Sequence, residues 1–505
     1  MTGTPSPASI PTGPWTQAVQ EAMAAAPTVM PRPDGDNWQA QYAYSLGLQA
    51  YVYGFPWLYL SQLQWLWTSP GGKALAEAKG LFIPWAPINS FFNSPKLATP
   101  DTRTGGSPNH DTLYSVAWLD VGPEPMIITV PAITDRFWCM QMACIDSGNF
   151  AYIGSHVTGN AAVSYLVGGP GWHGPVPDGV LDVLPRSRTP AVLIFGRTGV
   201  NDDADGGADL QKAIALQQQY KITPLSTWTG GHHPHRPPRA EIPIGIDYND
   251  PRGAWLTMNR AMTANPPGVA PGIDQAQLLR LFATIGVGPT QRLEDQSPGT
   301  MLGLRRAAVD GLPMLKKMTH GRGKSLNNWT YPPQVVGRAG QASDFITRAA
   351  IQALGGIADH DPDQAVYINT LRDADGNTLS SSGKYTLTFD PGNGRDFPPF
   401  DPLYFGFWSI TMYQLPDYNL VKGSNNYFVN SYYPRFQGRA ADGSMTVLIQ
   451  RDDPGTQPQG TYWLQTPDPR DPDTQDWYLI LRVYVPGPEV ALTQTWAPAP
   501  IMRVG

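Results

Sequence analysis

Ser107 to Val121 reads SPNHDTLYSVAWLDV, a polar cluster that runs straight into an alternating strand. At the two-residue period of a strand, Asn109, Asp111, Leu113, Ser115 and Ala117 share one face, and His110, Thr112, Tyr114, Val116 and Trp118 share the other. Thr, Tyr, Val and Trp favour strands, while Pro108 and the Gly122-Pro123 pair mark the ends. A strand that only fills a core has little use for the donors and acceptors of Asn109 to Tyr114. Each such group buried without a partner costs about 1 to 3 kcal/mol. The segment therefore reads as a cavity wall or as an internal hydrogen-bond network. Asp111 is a candidate general base or ligand anchor, and equally a candidate cap for a neighbouring turn.

Downstream the same texture continues. Pro125 to Pro131, Phe137 to Ile145, Phe150 to Gly154, Val163 to Val167 and Ala191 to Arg197 are short β-rich runs bounded by Gly, Pro, Asp and Asn, at intervals typical of a sandwich or barrel. A helix is expected over Asp209 to Tyr220. Before the opening strand, Trp38 to Leu63 has helical spacing, with YGFP at Tyr53 to Pro56 expected to kink or end its first part. Residues 1–35, rich in Pro, Ala, Ser and Thr, read as a flexible arm with one short helix near Trp15 to Ala25. The middle of the chain reads as helices: Trp255 to Ala264, Asp274 to Ile285, Pro298 to Lys317, and Asp344 to Gly355, with Asp274 and Asp344 as N-caps. Strands return at Ala365 to Leu371, Lys384 to Phe389, Gly406 to Tyr413, Met445 to Ile449 and Trp477 to Val485.

At 505 residues the chain has room for two or three domains. Charged residues make up only 15%, whereas Pro and Gly stand at 52 each, which favours short strands joined by turns over long charged helices. A net charge of −6 with no basic stripe argues against nucleic acid as a partner. No run reaches the apolar length of a membrane span, and the first thirty residues lack the pattern of a secretory signal, so no membrane partner and a cytoplasmic location are expected. Cys139 and Cys144, five apart on a strand, fall on opposite faces and read as core thiols in a reducing compartment.

Taken together, NHDTLYSVAWLD, VPAITDRFWCMQM, NFAYIGSHVTG, YLVGGPGWHGPVPDGV and LIFGRTGV resemble the first domain of a bacterial two-domain family, domain of unknown function 1254. AVYINTLRDADGNTLSSSGKYTLTF, FGFWSITMYQ, NNYFVN, DGSMTVLIQ and LILRVYVP resemble its partner, domain of unknown function 1214. The resemblance implies two β-sandwich-like domains joined through helices, in a homo-oligomer. One departure is that the family's Asn-Trp-Leu-Pro is replaced here by Tyr462, Trp463, Leu464 and Gln465. The expected fold class is thus α+β, mainly β, with two antiparallel, jelly-roll-like sandwiches. The parts are the arm at 1–35, an N-terminal helix and first sandwich at 36–205, a helical connector at 206–360, and a second sandwich at 361–505.

Walker, HExxH and Gly-x-Ser-x-Gly patterns do not occur, and GGPGW at Gly168 to Trp172 reads as a tight turn and not a phosphate cradle, because Pro170 removes a donor and no helix follows. The chemistry-bearing residues are distributed instead. If the strand at 109–118 faces the strand at 406–413 across the domain junction, one pocket gathers Asp111, Tyr114 and Asp146 as catalytic candidates. Asn109, Thr112, Asn149, Tyr152, Trp408, Ser409, Tyr413 and Arg482 would then contact substrate, with Tyr484 beside them. Such a pocket suits hydrolase or lyase acid–base chemistry on a small neutral, partly apolar substrate. The alternatives are a non-catalytic carbohydrate- or metabolite-binding protein, and a wet hydrogen-bond network between domains. The loop GGHHPHRPPR at 230–239 offers His232, His233 and His235 to a divalent metal, although adjacent imidazoles on a Gly/Pro loop more often mean an exposed loop than a working site.

Overall fold

The long helix α1, Trp38–Thr68, is the scaffold of the helical layer. Asn37 starts it by accepting a hydrogen bond from the Ala40 amide at 3.0 Å. Of the kink or end expected at Tyr53 to Pro56, the end is corrected, since the helix runs through that proline to Thr68. A proline inside a helix costs a hydrogen bond and crowds the preceding turn. Here Arg348 donates to the Tyr53 carbonyl beside the break, and every residue from Ala50 to Leu63 is buried, so tertiary packing holds the helix together. The computed structural model describes residues 37–102, 106–203, 205–231, 251–268, 275–319, 322–415, 418–471 and 476–505. The arm at 1–35 with its expected helix, the His232, His233 and His235 loop, and the Asp274 cap lie outside the described residues.

Packed on α1 are α2 (Pro70–Ala78), α4 (Arg252–Ala264), α5 (Ala276–Ala283), α6 (Pro298–Met318) and a π-helix, Thr347–Gly355; α3 (Ala208–Gln217) sits beside the first sheet. Asp344 caps the short α-turn at residues 345–346 that leads into the π-helix, its Oδ1 accepting from the Thr347 amide at 2.9 Å. α1 and α6 approach closely at Gly303, where a Cβ would overlap the Ala40 carbonyl oxygen and lie 2.7 Å from the Tyr44 amide nitrogen.

The first sandwich has a five-stranded sheet in the order β1 (Phe92–Asn93), β2 (Thr112–Asp120), β8 (Ala191–Gly199), β4 (Trp138–Cys144), β5 (Asn149–Gly154). Its second sheet runs β7 (Val180–Asp182), β6 (Val163–Val167), β3 (Met126–Val130), β9 (Lys221–Pro224). β9 lies inside the stretch expected to be helical, where its four residues carry too little pattern to stand out. Ala117, Leu119, Met140, Met142, Val192 and Ile194 fill the space between the two sheets. The opposite face of the larger sheet places Trp118, Ala143 and Leu193 against the helices.

The second sandwich pairs a six-stranded sheet, β10 (Ser325–Leu326), β11 (Trp329–Thr330), β12 (Ala365–Thr370), β18 (Trp477–Tyr484), β14 (Phe407–Gln414), β15 (Phe428–Asn430), with a four-stranded one, β17 (Thr461–Gln465), β16 (Met445–Gln450), β13 (Tyr385–Phe389), β19 (Ile501–Arg503). Pairing is antiparallel except β6–β7 and β16–β17, and the sheets stay open. Val366, Ile368, Trp408, Ile410, Leu481 and Val483 form the core between them. The fold is therefore mainly β within an α+β class. Cys139 and Cys144 are buried and unpaired, on opposite faces of β4. Among the described residues no helix is long and apolar enough to cross a membrane.

Gly303→Ala should destabilise the protein by about 1 to 3 kcal/mol, because backbone rather than a flexible side chain receives the new methyl. Urea unfolding reads this directly. A stability equal to wild type would show that α1 and α6 do not approach so closely.

Candidate active site at the domain junction

Each large sheet has one face that does not look into its own sandwich, and the polar ends of these faces meet. In the first, register places Tyr114, Arg197, Cys139 and Gly154 in one row, with Phe195, Gln141 and Tyr152 in the next. In the second, Tyr367, Arg482, Ser409 and Asn430 form one row. Period-two alternation alone puts these side chains on one face.

Residues 107–114 plug the seam. The Asp111 carboxylate, fully buried, accepts from Ser409 Oγ at 2.5 Å and Asn430 Nδ2 at 3.2 Å, while Tyr432 donates to its carbonyl oxygen at 3.0 Å. Asn109 accepts from the Asp111 amide at 2.7 Å and donates to the Tyr484 hydroxyl at 2.7 Å. Its own amide donates to the Tyr114 hydroxyl at 3.1 Å. Arg482 donates to the Ser107 carbonyl at 2.9 Å and the Tyr413 hydroxyl at 2.7 Å; Tyr413 in turn donates to the Pro108 carbonyl at 2.9 Å. The strands 109–118 and 406–413 are expected to face one another if the family architecture holds, and the structure brings Asn109, Asp111, Thr112, Tyr114, Ser409, Tyr413 and Arg482 together. Burial raises the Asp111 carboxyl above its ordinary value, with Ser409, Arg482, Asn430 and Tyr432 pulling the other way.

Four groups that the sequence did not single out complete the junction. Arg197 is buried on β8, donates to Gln141 Oε1 at 3.2 Å and contacts His360 Nε2 closely. A guanidinium has only donors, so His360 must accept at Nε2 and carry its proton on Nδ1. His360 is fully buried and held neutral, its pKa well below the ordinary value through burial first and Arg197 second. Beside it, Asp359 is half-buried with no side-chain hydrogen bond among the described residues; burial pushes its carboxyl up to about 7, against the pull of Arg197. Tyr367, also half-buried, feels Arg197, Asp359, Arg482 and Tyr114. The one signal for Arg197 in the sequence is a charge inside the apolar run LIFGRTGV.

The other expected residues serve different ends. Asn149 and Tyr152 clamp the 359–361 loop, Asn149 Nδ2 donating to the Asp359 carbonyl at 2.7 Å and Asp361 Oδ1 at 2.9 Å, and the Tyr152 hydroxyl accepting from the Asp361 amide at 2.9 Å. Asp146 stands apart in the β4–β5 turn, paired with Arg188 at 3.2 Å and accepting from the Gly148 amide at 2.9 Å. Trp408 points away from the junction into the second sandwich's core, stacked on Phe397 at 5.9 Å, because it is one residue out of phase with Ser409. Among the described residues no three His, Cys, Asp or Glu side chains gather in a way that would hold a metal.

Family models match at two places: a protein of unknown function, DUF1254, at residues 88–224, and a second, DUF1214, at residues 364–488. The chain is a DUF1254–DUF1214 protein. Solved structures similar to it include the VPA0106 protein from Vibrio parahaemolyticus, at a TM-score of 0.66 and 19% identity over 92% of this chain and 100% of that one. Another is an uncharacterized protein from Burkholderia cenocepacia, at a TM-score of 0.42 and 12% identity over 96% and 98% of the two chains. The first likeness speaks for the fold alone. No curated protein matches the chain.

In this DUF1254–DUF1214 protein the first domain supplies Tyr114, Gln141 and Arg197, and the second supplies Tyr367, Ser409 and Arg482. Asp359 and His360 come from the linking stretch just before the second.

Because the folded Asp111 carboxyl titrates above its ordinary 3.8, it stabilises most when protonated, and that contribution is lost as pH rises through the folded value. Asp111→Asn removes this titration. The stability of wild type minus that of the variant should fall as pH rises from about 4 to about 8, read by urea unfolding at each pH. A flat difference, or one growing with pH, would contradict the raised carboxyl.

Proposed function

We propose that the junction between the two sandwiches is a small-molecule site and that the chain is an enzyme of hydrolase or lyase type working there by acid–base chemistry. The observation that carries this reading is Asp359, a half-buried carboxyl beside Arg197 and Tyr367 whose affinity for a proton is set near neutrality. A group that both accepts and releases a proton at the working pH is what a general acid–base step needs. Asp111 does not have that freedom. Its two oxygens are held by Ser409 and Asn430, so it positions the plug that bears Tyr114. Tyr114 supplies a hydroxyl whose oxygen already accepts from Asn109, leaving its proton to give. Phe195, 5.2 Å from Tyr114 ring to ring, and Tyr367 supply aromatic walls. Non-catalytic metabolite binding is the second reading, favoured by the saturation of Asp111. The unpaired thiols of Cys139 and Cys144 support a place in the cytoplasm.

The test is equilibrium dialysis of wild type and Asp359→Asn against a fractionated cell extract, followed by mass spectrometry. Wild type should retain and consume at least one small molecule. Asp359→Asn should retain the same molecule and turn it over about 100-fold or more slowly. With Asp359 as base, kcat/KM should climb as pH rises through about 7 and then level. Retention without turnover by either protein supports the binding reading; retention of nothing by wild type rejects the site.

A further inference from the structure

Beside the unpaired carboxyl of Asp359, the junction buries donors that lack partners among the described residues. Arg482 is buried, with its Nη1 lacking any partner. His360 Nδ1, the nitrogen left with the proton by the contact at Nε2, is buried and unpartnered as well. The Tyr367 hydroxyl makes no hydrogen bond within the described residues. Neither Arg197 nor Arg482 forms an ion pair with a carboxylate of the described residues; Asp111 bears on Arg482 only at longer range. Burying a guanidinium without a close counter-charge is costly, and an orphaned donor adds the full cost of its lost hydration.

The two cations face one group of rings. The Arg197 guanidinium carbon lies 5.9 Å from the Tyr114 ring, and that of Arg482 lies 5.8 Å from the Tyr367 ring. His360 joins them, in contact with Arg197 and 6.2 Å from Tyr367 ring to ring. Tyr484, 6.3 Å from both the Tyr367 and the His360 rings, feels both arginines. Flat aromatic surface and two buried guanidiniums with orphaned donors, set against the single carboxyl of Asp359, are the complement of a planar molecule bearing negative charge.

We infer that the junction takes a small organic anion, a carboxylate or phosphate on a flat apolar body, held between Arg197 of the first sandwich and Arg482 of the second. This rests on the junction being a small-molecule site, and it replaces the small neutral, partly apolar substrate expected from the pocket's residue types. Guanidiniums suit both oxyanions, since their paired N–H groups match two oxygens at once. Because one cation comes from each domain, the bound anion also fastens the sandwiches together, so ligand should raise the unfolding temperature.

The probes are benzoate, phenyl phosphate and the neutral benzamide, titrated calorimetrically into the full-length protein, with thermal unfolding alongside. Benzoate or phenyl phosphate should bind at one site per chain and raise the unfolding temperature, and benzamide should bind at least 10-fold more weakly. Arg197→Gln and Arg482→Gln, checked for a native circular dichroism spectrum, should each weaken the anion at least 10-fold; Arg482→Lys should recover part of the loss. Tyr367→Phe, a smaller change, keeps the test decisive should the Gln variants fail to fold, and is expected to weaken the anion several-fold. Benzamide binding as tightly as benzoate, with the variants unchanged, overturns the anionic class and leaves the site standing. Failure of both anions to bind wild type overturns the anion subsite, whereas the site itself is decided by the extract experiment with Asp359→Asn.

Discussion

The bond from Ser409 to the Asp111 carboxylate, with Asn430 on its other oxygen, is the contact on which the rest of the junction depends. It joins the entrance of β2 to two strands of the other sandwich in a place closed to water. A carboxylate is tolerable there only while its donors stay in place, which makes the seam specific as well as costly. With that pin set, Tyr413 and Arg482 find the backbone of residues 107 and 108, and Asn109 finds Tyr484. The rows bearing Arg197 and Tyr367 are thereby brought close.

The two halves of the seam differ in kind. Around Asp111 nearly every polar atom has a partner, and the arrangement is that of a structural network. Around Arg197, His360, Asp359 and Tyr367 the partners are incomplete, and half-buried side chains interrupt strands that are otherwise buried, as Tyr114 does in β2 and Phe195 in β8. A saturated network fixes the geometry, and the unsaturated one beside it leaves Arg482 Nη1 and His360 Nδ1 without protein partners. This division of labour is what precise chemistry at a domain junction requires.

Much of the architecture was legible because it rests on local rules. Alternation in Thr112–Asp120 and Phe407–Gln414 gave strands and faces, and the polar run at 109–114 announced a seam. Pro56 misled, because a proline's local cost is outweighed once α1 is enclosed by other helices and Arg348 takes up a neighbouring carbonyl. Trp408 misled for a different reason, since an aromatic beside Ser409 in sequence is opposite to it in space. Arg197 showed only as a charge inside an apolar run, and His360 was out of reach: nothing local says that the 359–361 loop folds back onto β5, where Asn149 and Tyr152 hold it.

The central claim is that the space between Tyr114, Arg197, Tyr367 and Arg482 holds a ligand rather than sealing two domains. A crystal structure of the protein, purified without added ligands and refined far enough to place waters, tests it most directly. The account predicts a molecule or ordered waters bonded to Arg482 Nη1, His360 Nδ1 and the Tyr367 hydroxyl. A dry, closed seam in which protein groups satisfy all three would contradict it.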